Sequence, residues 1–401
     1  MKKKLLFVIP YMHEGGAQRA LSSIQAHLYS KYEIDTLVNS EEDRVFPNAG
    51  KVISLHIDKE AKTDSVFFQF SAFMKRLIKL RQLKRGNNYD ACISFMDSAN
   101  ITNILAGNKC KTIISVRISY RGMKNRPQYR LIVKPLAGFL YNRADAVVAV
   151  SEELKSELEN DLKISPTKLY TITNGFDIKR INDLAQADVG EKYRKQLQSK
   201  RVIITAGRLD RQKHQWHLIR SFSRVLRYVP DAVLIVAGTG ALETYLKQIC
   251  QGLNVQNSVI FTGFVDNIYS WLKRSEVFVL PSCSEGFPNV LGEALCIGIP
   301  CIATDFRTGA REILAPNLLH SNVEIDSFRE CEYGILSPVC SGMLYKGAEP
   351  LEKQEIELAN AIIRLLTDNE LNSKYHNKSI ERGRSLDISS VVDKWIGVIE
   401  E

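Results

Sequence analysis

The residues of this 401-residue chain best suited to chemistry are two glutamates, Glu285 and Glu293, with seven residues between them in VFVLPSCSEGFPNVLGEALCIGIPCIATD (277–305). The pattern predicts a strand ending at Pro281, a small flexible loop over 282–288, and a helix from near Asn289 to Gly298 before a second strand. Backbone N–H groups at the helix start sit at the positive end of its dipole, which suits an anion such as a diphosphate. Glu285 in the loop and Glu293 one turn inside the helix flank that position, where carboxylates can accept hydrogen bonds from sugar hydroxyls. A capped helix with solvated glutamates is the plainer alternative that the spacing leaves open.

Cations stand in a second stretch, AGRLDRQKHQWH (206–217), directly after a strand-like run over 202–206. Arg208 and Lys213 occupy the loop at that strand's carboxyl end, where they can neutralise charge that builds up on a departing nucleoside diphosphate. Solvated surface cations are the alternative. A third stretch, Gly15-Gly16-Ala17-Gln18-Arg19, follows the first strand and opens a helix. Glycines there allow close approach of backbone to a phosphate, but the later glycine of a G-x-G-x-x-G fingerprint is missing. A plain turn reads equally well.

These loops need rigid elements behind them. Short β-rich runs recur over 5–9, 91–95, 112–116, 146–150 and 169–173, then over 202–206, 232–237, 259–262, 277–280 and 300–303, with helical patterns between. Buried runs of this kind imply parallel sheets covered on both faces. The reading is an α/β protein of two doubly wound domains, 1–178 and 179–385, with a cleft between them. An amphipathic helix over 386–401 is expected to pack back toward the first domain. Ligands then belong beyond the carboxyl ends of the strands.

Composition narrows the class. With 45% hydrophobic and 25% charged residues the chain is folded rather than disordered or collagen-like. No apolar run approaches the ~20 residues needed to cross a bilayer, and the N-terminal run is too short for a signal peptide. The eight cysteines form no CxxC pair or zinc spacing, and are expected buried, reduced and cytoplasmic. The net charge of +9 lies wholly in residues 1–178, which hold 27 Lys and Arg against 18 Asp and Glu. That asymmetry points to a polyanion or an anionic membrane on the first domain.

Glu285-x7-Glu293 resembles the E-x7-E motif of retaining GT-B glycosyltransferases, and EGFPNVLGEA around it resembles family 4. The resemblance implies that Glu285 contacts the donor sugar near its 3-hydroxyl and Glu293 the nucleotide ribose. It implies that backbone at Phe287, Pro288, Asn289, Val290 and Leu291 holds sugar and diphosphate, and backbone at Phe264 and Val265 the nucleobase. Gly16 would meet the donor phosphate across the closed cleft, while Arg208 and Lys213 match the family's G-R-L-x5-K pattern. Asn174-Gly175-Phe176-Asp177 resembles its N-G-x-D turn, and Gly309–Glu312 a loop of uncertain role. On the acceptor side, Asp97, Asn100 and Arg117 are the candidates, since none of the seven histidines is well placed; for Asp97, capping of the following helix is the alternative.

One more stretch bears on the charge. SVFFQFSAFMKRLIKLRQLKR (65–85) contains no acidic residue but carries Lys75, Arg76, Lys79, Arg81, Lys84 and Arg85 beside its aromatics. A helix with one aromatic and one basic face suits an anionic lipid surface, a core-packed helix being the alternative. Arg121, Lys124, Arg126 and Arg130 form a second basic cluster. No nucleic-acid module accompanies them.

The combined expectation is a metal-independent retaining glycosyltransferase, cytoplasmic and peripheral at the inner face of the cell membrane. It would move a sugar from a nucleotide donor, a UDP-hexose or UDP-N-acetylhexosamine, to a lipid-linked glycan in surface polysaccharide assembly. No cofactor is expected: the chain has no Asp-x-Asp pair for a metal, and the nucleotide sugar is a substrate. The competing readings are a nucleotide-sugar epimerase or inverting GT-B enzyme, and a noncatalytic sugar-nucleotide or membrane-binding module.

Overall fold

The computed structural model describes residues 2–12, 15–41, 46–57, 66–107, 109–121, 134–321 and 323–401. The described strands form two seven-stranded sheets. The first contains β1 (Lys4–Val8), β2 (Glu33–Val38), β3 (Lys51–Ser54), β4 (Ala91–Phe95), β5 (Lys111–Val116), β6 (Ala146–Ala149) and β7 (Leu169–Thr171). Its order is β3-β2-β1-β4-β5-β6-β7, and all neighbours run parallel. The second contains β8 (Arg201–Ala206), β9 (Ala232–Ala237), β10 (Val259–Gly263), β11 (Val277–Leu280), β12 (Cys301–Thr304), β13 (Arg329–Glu330) and β14 (Ile335–Ser337). Its order is β10-β9-β8-β11-β12-β14-β13, parallel except for the β13–β14 pair. In each sheet the order reverses once, between β1 and β4 and between β8 and β11, and a doubly wound sheet opens a crevice at that reversal.

Helices cover the faces: α1 (Gly16–Leu28), α2 (Val66–Gly86), α3 (Asp97–Leu105), α4 (Lys134–Tyr141) and α5 (Glu152–Leu162) with the first sheet. With the second go α6 (Ile178–Ala185), α7 (Glu191–Leu197), α8 (Gln215–Tyr228), α9 (Glu243–Gly252), α10 (Ile268–Leu272), α11 (Asn289–Ile297), α12 (Ala310–Leu314), α13 (Lys353–Thr367) and α14 (Asn369–Ser385), before a last helix, α15 (Ile388–Glu400). Helix ends follow local chemistry. Ser151 caps α5 by accepting the Leu154 N–H, Glu352 and Glu355 close a capping box on α13, and Gly298 ends α11 in the left-handed region.

Contacts divide the chain into residues 1–175 with 388–401, and residues 176–387. The break thus falls after Gly175 rather than after 178, and α15 belongs to the first unit. There Trp395 is fully buried and stacks on Phe95 at 5.8 Å, while Tyr32 donates to Glu400. The sequence reading did not include β2, β3, β13 and β14, which are short or carry polar residues. Asp35 in β2 is buried because the Tyr89 hydroxyl and the Lys4 ammonium satisfy it.

Six of the eight free cysteines are buried, but Cys283 and Cys331 are only half-buried, so the uniform burial expected from sequence does not hold. Helix α2 also departs from the expected two-faced pattern. Leu77, Leu80 and Leu83 turn inward onto β1, β2 and β4, whereas Phe70 and Ile78 are exposed beside Lys75, Arg81 and Arg85. Arg76 and Lys84, expected on a membrane face, are buried. Lys84 Nζ donates to the Asn103 and Gly107 carbonyls and to Thr112 Oγ1, and Arg76 donates to Ser98 Oγ. Both tie α2 to α3, Lys84 ties it to β5 as well, and burial lowers the Arg76 guanidinium to about 10. In the second basic cluster Arg121 is paired with Asp161 and Glu153, while Lys124, Arg126 and Arg130 lie outside the described residues.

Candidate active site

The reversal in the second sheet sets the carboxyl ends of β8 and β11 side by side. From β8 comes the loop 207–214. Asp210 Oδ1 accepts the backbone N–H groups of Gln212 and Lys213, at 3.0 and 3.2 Å, which folds the loop into a tight Asx turn. Lys213 then lies back along the chain. A Cβ on Gly207 (φ +149°) would come within 3.1 Å of the Lys213 Cε, so glycine makes room for the stem.

From β11 comes the loop 281–288, which delivers Glu285 to the lysine. Lys213 Nζ and Glu285 Oε1 are 2.5 Å apart, and the two side chains are 15% and 11% exposed. Ser282 Oγ donates to the same carboxylate oxygen at 2.8 Å. In a pair this far buried, either partner left alone would be costly. The pair presents a cation and a carboxylate at one point, beside the start of α11. Pro288 occupies the cap position of that helix and supplies no side-chain cap, which leaves its N-terminal end suited to an anion.

Phe287, Pro288 and Leu291 are buried, so these residues can offer a ligand only backbone. Asn289 and Val290 form the half-buried first turn. Glu293 is 1% exposed and accepts from the Tyr269 hydroxyl at 3.4 Å. Arg208 differs from Lys213: its side chain is 67% exposed and pairs with Asp210 at 3.3 Å. Phe264, 48% exposed, and Val265 follow β10 at the same sheet edge, where Leu209 N–H bonds to Thr239 O and Gly238 N–H to Gly263 O. The second unit therefore gathers Arg208, Lys213, Glu285, Glu293, the 287–291 segment, Phe264 and Val265 on one edge. Gly16 belongs to the first unit, at the start of α1.

The Gly309–Glu312 segment proves to be a support. Arg311 and Asp305 form a buried bidentate pair at 2.7 Å. Gly309, at φ +85°, lies so close to the 281–288 loop that a Cβ would meet Pro288 Cδ at 2.6 Å. Asp210, Gln212, Thr304 and Thr308 were not singled out by sequence; Asp210 alone carried a local signal, as an Asx-turn residue.

On the acceptor side the first unit brings the candidates together only in part. Asp97 opens α3 and accepts from the hydroxyls of Tyr120 (3.1 Å) and Tyr141 (2.9 Å). Burial pushes its carboxyl above the usual range, against the opposing pull of those two hydrogen bonds. Its neighbour Met96 holds φ +78°, an uncommon angle for a non-glycine residue. Asn100 is a correction. It is fully buried, accepts from Ser94 Oγ and donates to the Ser115 carbonyl, and so links β4 to β5 instead of facing a ligand. Arg117 is another. It donates to Ser115 Oγ and Asn174 Oδ1, lies 4.5 Å over the Phe95 ring, and burial pulls its guanidinium down to about 9. Its charge faces the interior of the first unit.

Among the described residues one His-Cys-Glu group, His217, Cys340 and Glu352, has ligand atoms within 4.8 Å of one another. Gly342 N–H donates to His217 Nε2, so the neutral ring carries its proton on Nδ1, which donates to Glu355 at 2.8 Å. Glu352 accepts from Ser341 N–H and the Tyr345 hydroxyl. The group is a satisfied hydrogen-bond network that secures the 341–352 segment to α8, and its donors do not fit a metal site. Next to it His214, at φ +51°, lies against Trp216 and His217, and burial with the neighbouring His217 lowers it to about 4.

Residues 190–327 match the family described as Glycosyl transferases group 1, and residues 15–180 match Glycosyltransferase Family 4. The chain is 33% identical, over 82% of its length and 83% of the relative's, to an uncharacterized glycosyltransferase of Methanocaldococcus jannaschii. It is 27% identical, over 96% of each chain, to the N-acetylgalactosamine-N,N'-diacetylbacillosaminyl-diphospho-undecaprenol 4-alpha-N-acetylgalactosaminyltransferase of Campylobacter jejuni. Among solved structures, Anabaena Alr3699/HepE in complex with UDP and glucose superposes with a TM-score of 0.74 at 18% identity, over 99% of both chains.

Proposed function

Since the chain belongs to the group 1, family 4 glycosyltransferases and has their GT-B α/β fold, we propose that it transfers a UDP-activated hexose or N-acetylhexosamine to a lipid-linked glycan during surface polysaccharide assembly. The observation that carries this reading is the Lys213–Glu285 pair at the β8/β11 crevice, beside the start of α11. In it the helix start and Lys213 take the diphosphate, with Arg208 swinging in from its exposed position to neutralise the leaving group in place of a metal ion. Glu285 accepts from a donor-sugar hydroxyl and Glu293 from the ribose. The sugar is transferred with retention, by front-face displacement in which the leaving phosphate oxygen takes the acceptor proton. The Campylobacter relative, whose name specifies a diphospho-undecaprenol acceptor, supports a lipid-linked acceptor here.

The acceptor is met on the first unit at Asp97, and the membrane at the exposed part of α2. No helix among the described residues is long and apolar enough to cross a membrane, so attachment would rest on Lys75, Lys79, Arg81 and Arg85 with Phe70 and Ile78. The test is turnover of a panel of nucleotide sugars with an undecaprenyl-diphosphate-linked acceptor, the product anomer being read by NMR. Absence of both transfer and hydrolysis across the panel overturns the reading. An inverted product overturns retention alone.

A further inference from the structure

Glu285 is held by ties that come from outside its own loop. Thr304 Oγ1 donates to the Ser282 carbonyl, Gln212 Nε2 to the Ser284 carbonyl and Thr308 Oγ1 to the Glu285 carbonyl. In the opposite direction the Cys283 N–H donates to the Gln212 carbonyl at 2.9 Å. Each residue of 282–285 thus takes a bond from another element. Gln212 is the only one of these three side chains that also approaches the carboxylate: its Nε2 lies 3.5 Å from Glu285 Oε2, while Lys213 Nζ holds Oε1.

We propose that Gln212 is a positioning residue, a neutral clasp that fixes the direction of the Glu285 carboxylate before the donor binds. This rests on the glycosyltransferase reading for its catalytic consequence. The chemistry favours a carboxamide. Its NH2 carries two donors, which match the two acceptors present, the Ser284 carbonyl and the free oxygen of Glu285. A cation at the same place would compete with Lys213 for the carboxylate, and a carboxylate would repel it. The clasp also joins the two loops of the crevice, so the ion pair is set by a main-chain tie and a side-chain tie together. A loop secured in this way holds reacting groups within the fraction of an ångström that catalysis requires.

The experiment compares wild type, Gln212→Met, which keeps length but removes both donors, and Gln212→Glu. Amide hydrogen exchange over 282–286 is measured beside kcat and KM for the nucleotide sugar. In Gln212→Met, exchange in that segment is expected to rise several-fold with little change elsewhere, and kcat to fall about 10-fold with KM held within about 2-fold. In Gln212→Glu only the protonated acid can donate, so its kcat relative to wild type recovers as pH falls toward the carboxylate range near ~4.3. A merely structural residue would not give that profile. Wild-type exchange and wild-type kcat in Gln212→Met overturn the proposal. Failure of the wild type to turn over any nucleotide sugar overturns the glycosyltransferase reading instead, and the exchange result then decides by itself whether the clasp exists.

Discussion

The two sheets reverse strand order at the same place, yet the crevices are furnished in opposite ways. Between β8 and β11 the chain sets an ion pair, Lys213 with Glu285, tied in by polar side chains from the loop after β8 and from the end of β12 and the turn that follows it. Between β1 and β4 stand, among the described residues, Gly15, Gly16, Met96 and the carboxylate of Asp97, whose partners are two tyrosine hydroxyls. Beneath the β1/β4 crevice the support is aromatic, with Trp395 of α15 stacked on Phe95 and Arg117 over the same ring. One topology therefore supplies a location, and the loop residues decide its chemistry, a paired cation and carboxylate in one case and a buried carboxyl held by hydroxyls in the other.

The sharpest test of the difference removes the charge on each side. Lys213→Met and Glu285→Gln are expected to lower kcat by about 10²- to 10³-fold, because stabilisation of developing charge is lost. Asp97→Asn, which keeps an oxygen for the tyrosine hydroxyls, should raise acceptor KM by about 10-fold while donor hydrolysis in the absence of acceptor stays unchanged. Steady-state kinetics with and without acceptor separate the outcomes. Equal loss of donor hydrolysis in all three variants would erase the division between the crevices.

A smaller effect is expected on the outside of the first unit, where α2 itself divides. Replacing the outward Lys75, Lys79, Arg81 and Arg85 with Gln should reduce flotation with anionic vesicles several-fold at low salt, since each cation near such a surface contributes ~1 kcal/mol, and lower the melting temperature only slightly, through the exposed bonds of Arg81 to the Leu105 carbonyl. Replacing buried Arg76 or Lys84 should do the reverse, because each satisfies acceptors inside the unit. Flotation that responds to Arg76 and not to the outward four would show that the wrong face has been assigned.

Much of the second crevice could be read from sequence, because local punctuation wrote it. Pro288 and Gly298 bracket α11, and the apolar runs of β8, β9 and β11 are continuous, so helix and strands fall where the pattern puts them. The clasp could not be read, since Gln212 meets Ser284 from 72 residues away. The first crevice was less legible for a related reason. Asp97 and Asn100 share one turn of α3, and nothing in their types says that Asn100 is turned inward to Ser115 while Asp97 remains at the helix start. Arg117 after β5 looked available, yet Asn174 and the Phe95 ring, both distant in sequence, draw it inward.

The two units also separate by the sign of their response to acid. His214 in the second unit has its folded value lowered to about 4 against an ordinary 6.5. Between those values the unfolded chain holds more protons on this group than the folded one, so its contribution to stability is lost as pH falls through the window. Asp97 in the first unit is raised above its ordinary value by burial. There the folded chain holds the extra proton, so stability from this group is lost as pH rises through its window and is retained in acid. Acidification from pH 6.5 toward 4 should therefore weaken the second unit through His214, by at most roughly 3 kcal/mol for a shift of this size. Hydrogen exchange followed unit by unit measures it. His214→Asn, chosen because asparagine tolerates the left-handed backbone at this position, should flatten the acid slope of α8 and leave that of β4 and α3 alone. An equal change in both units would mean that their acid responses are coupled, and an unchanged slope in α8 would remove His214 from the account.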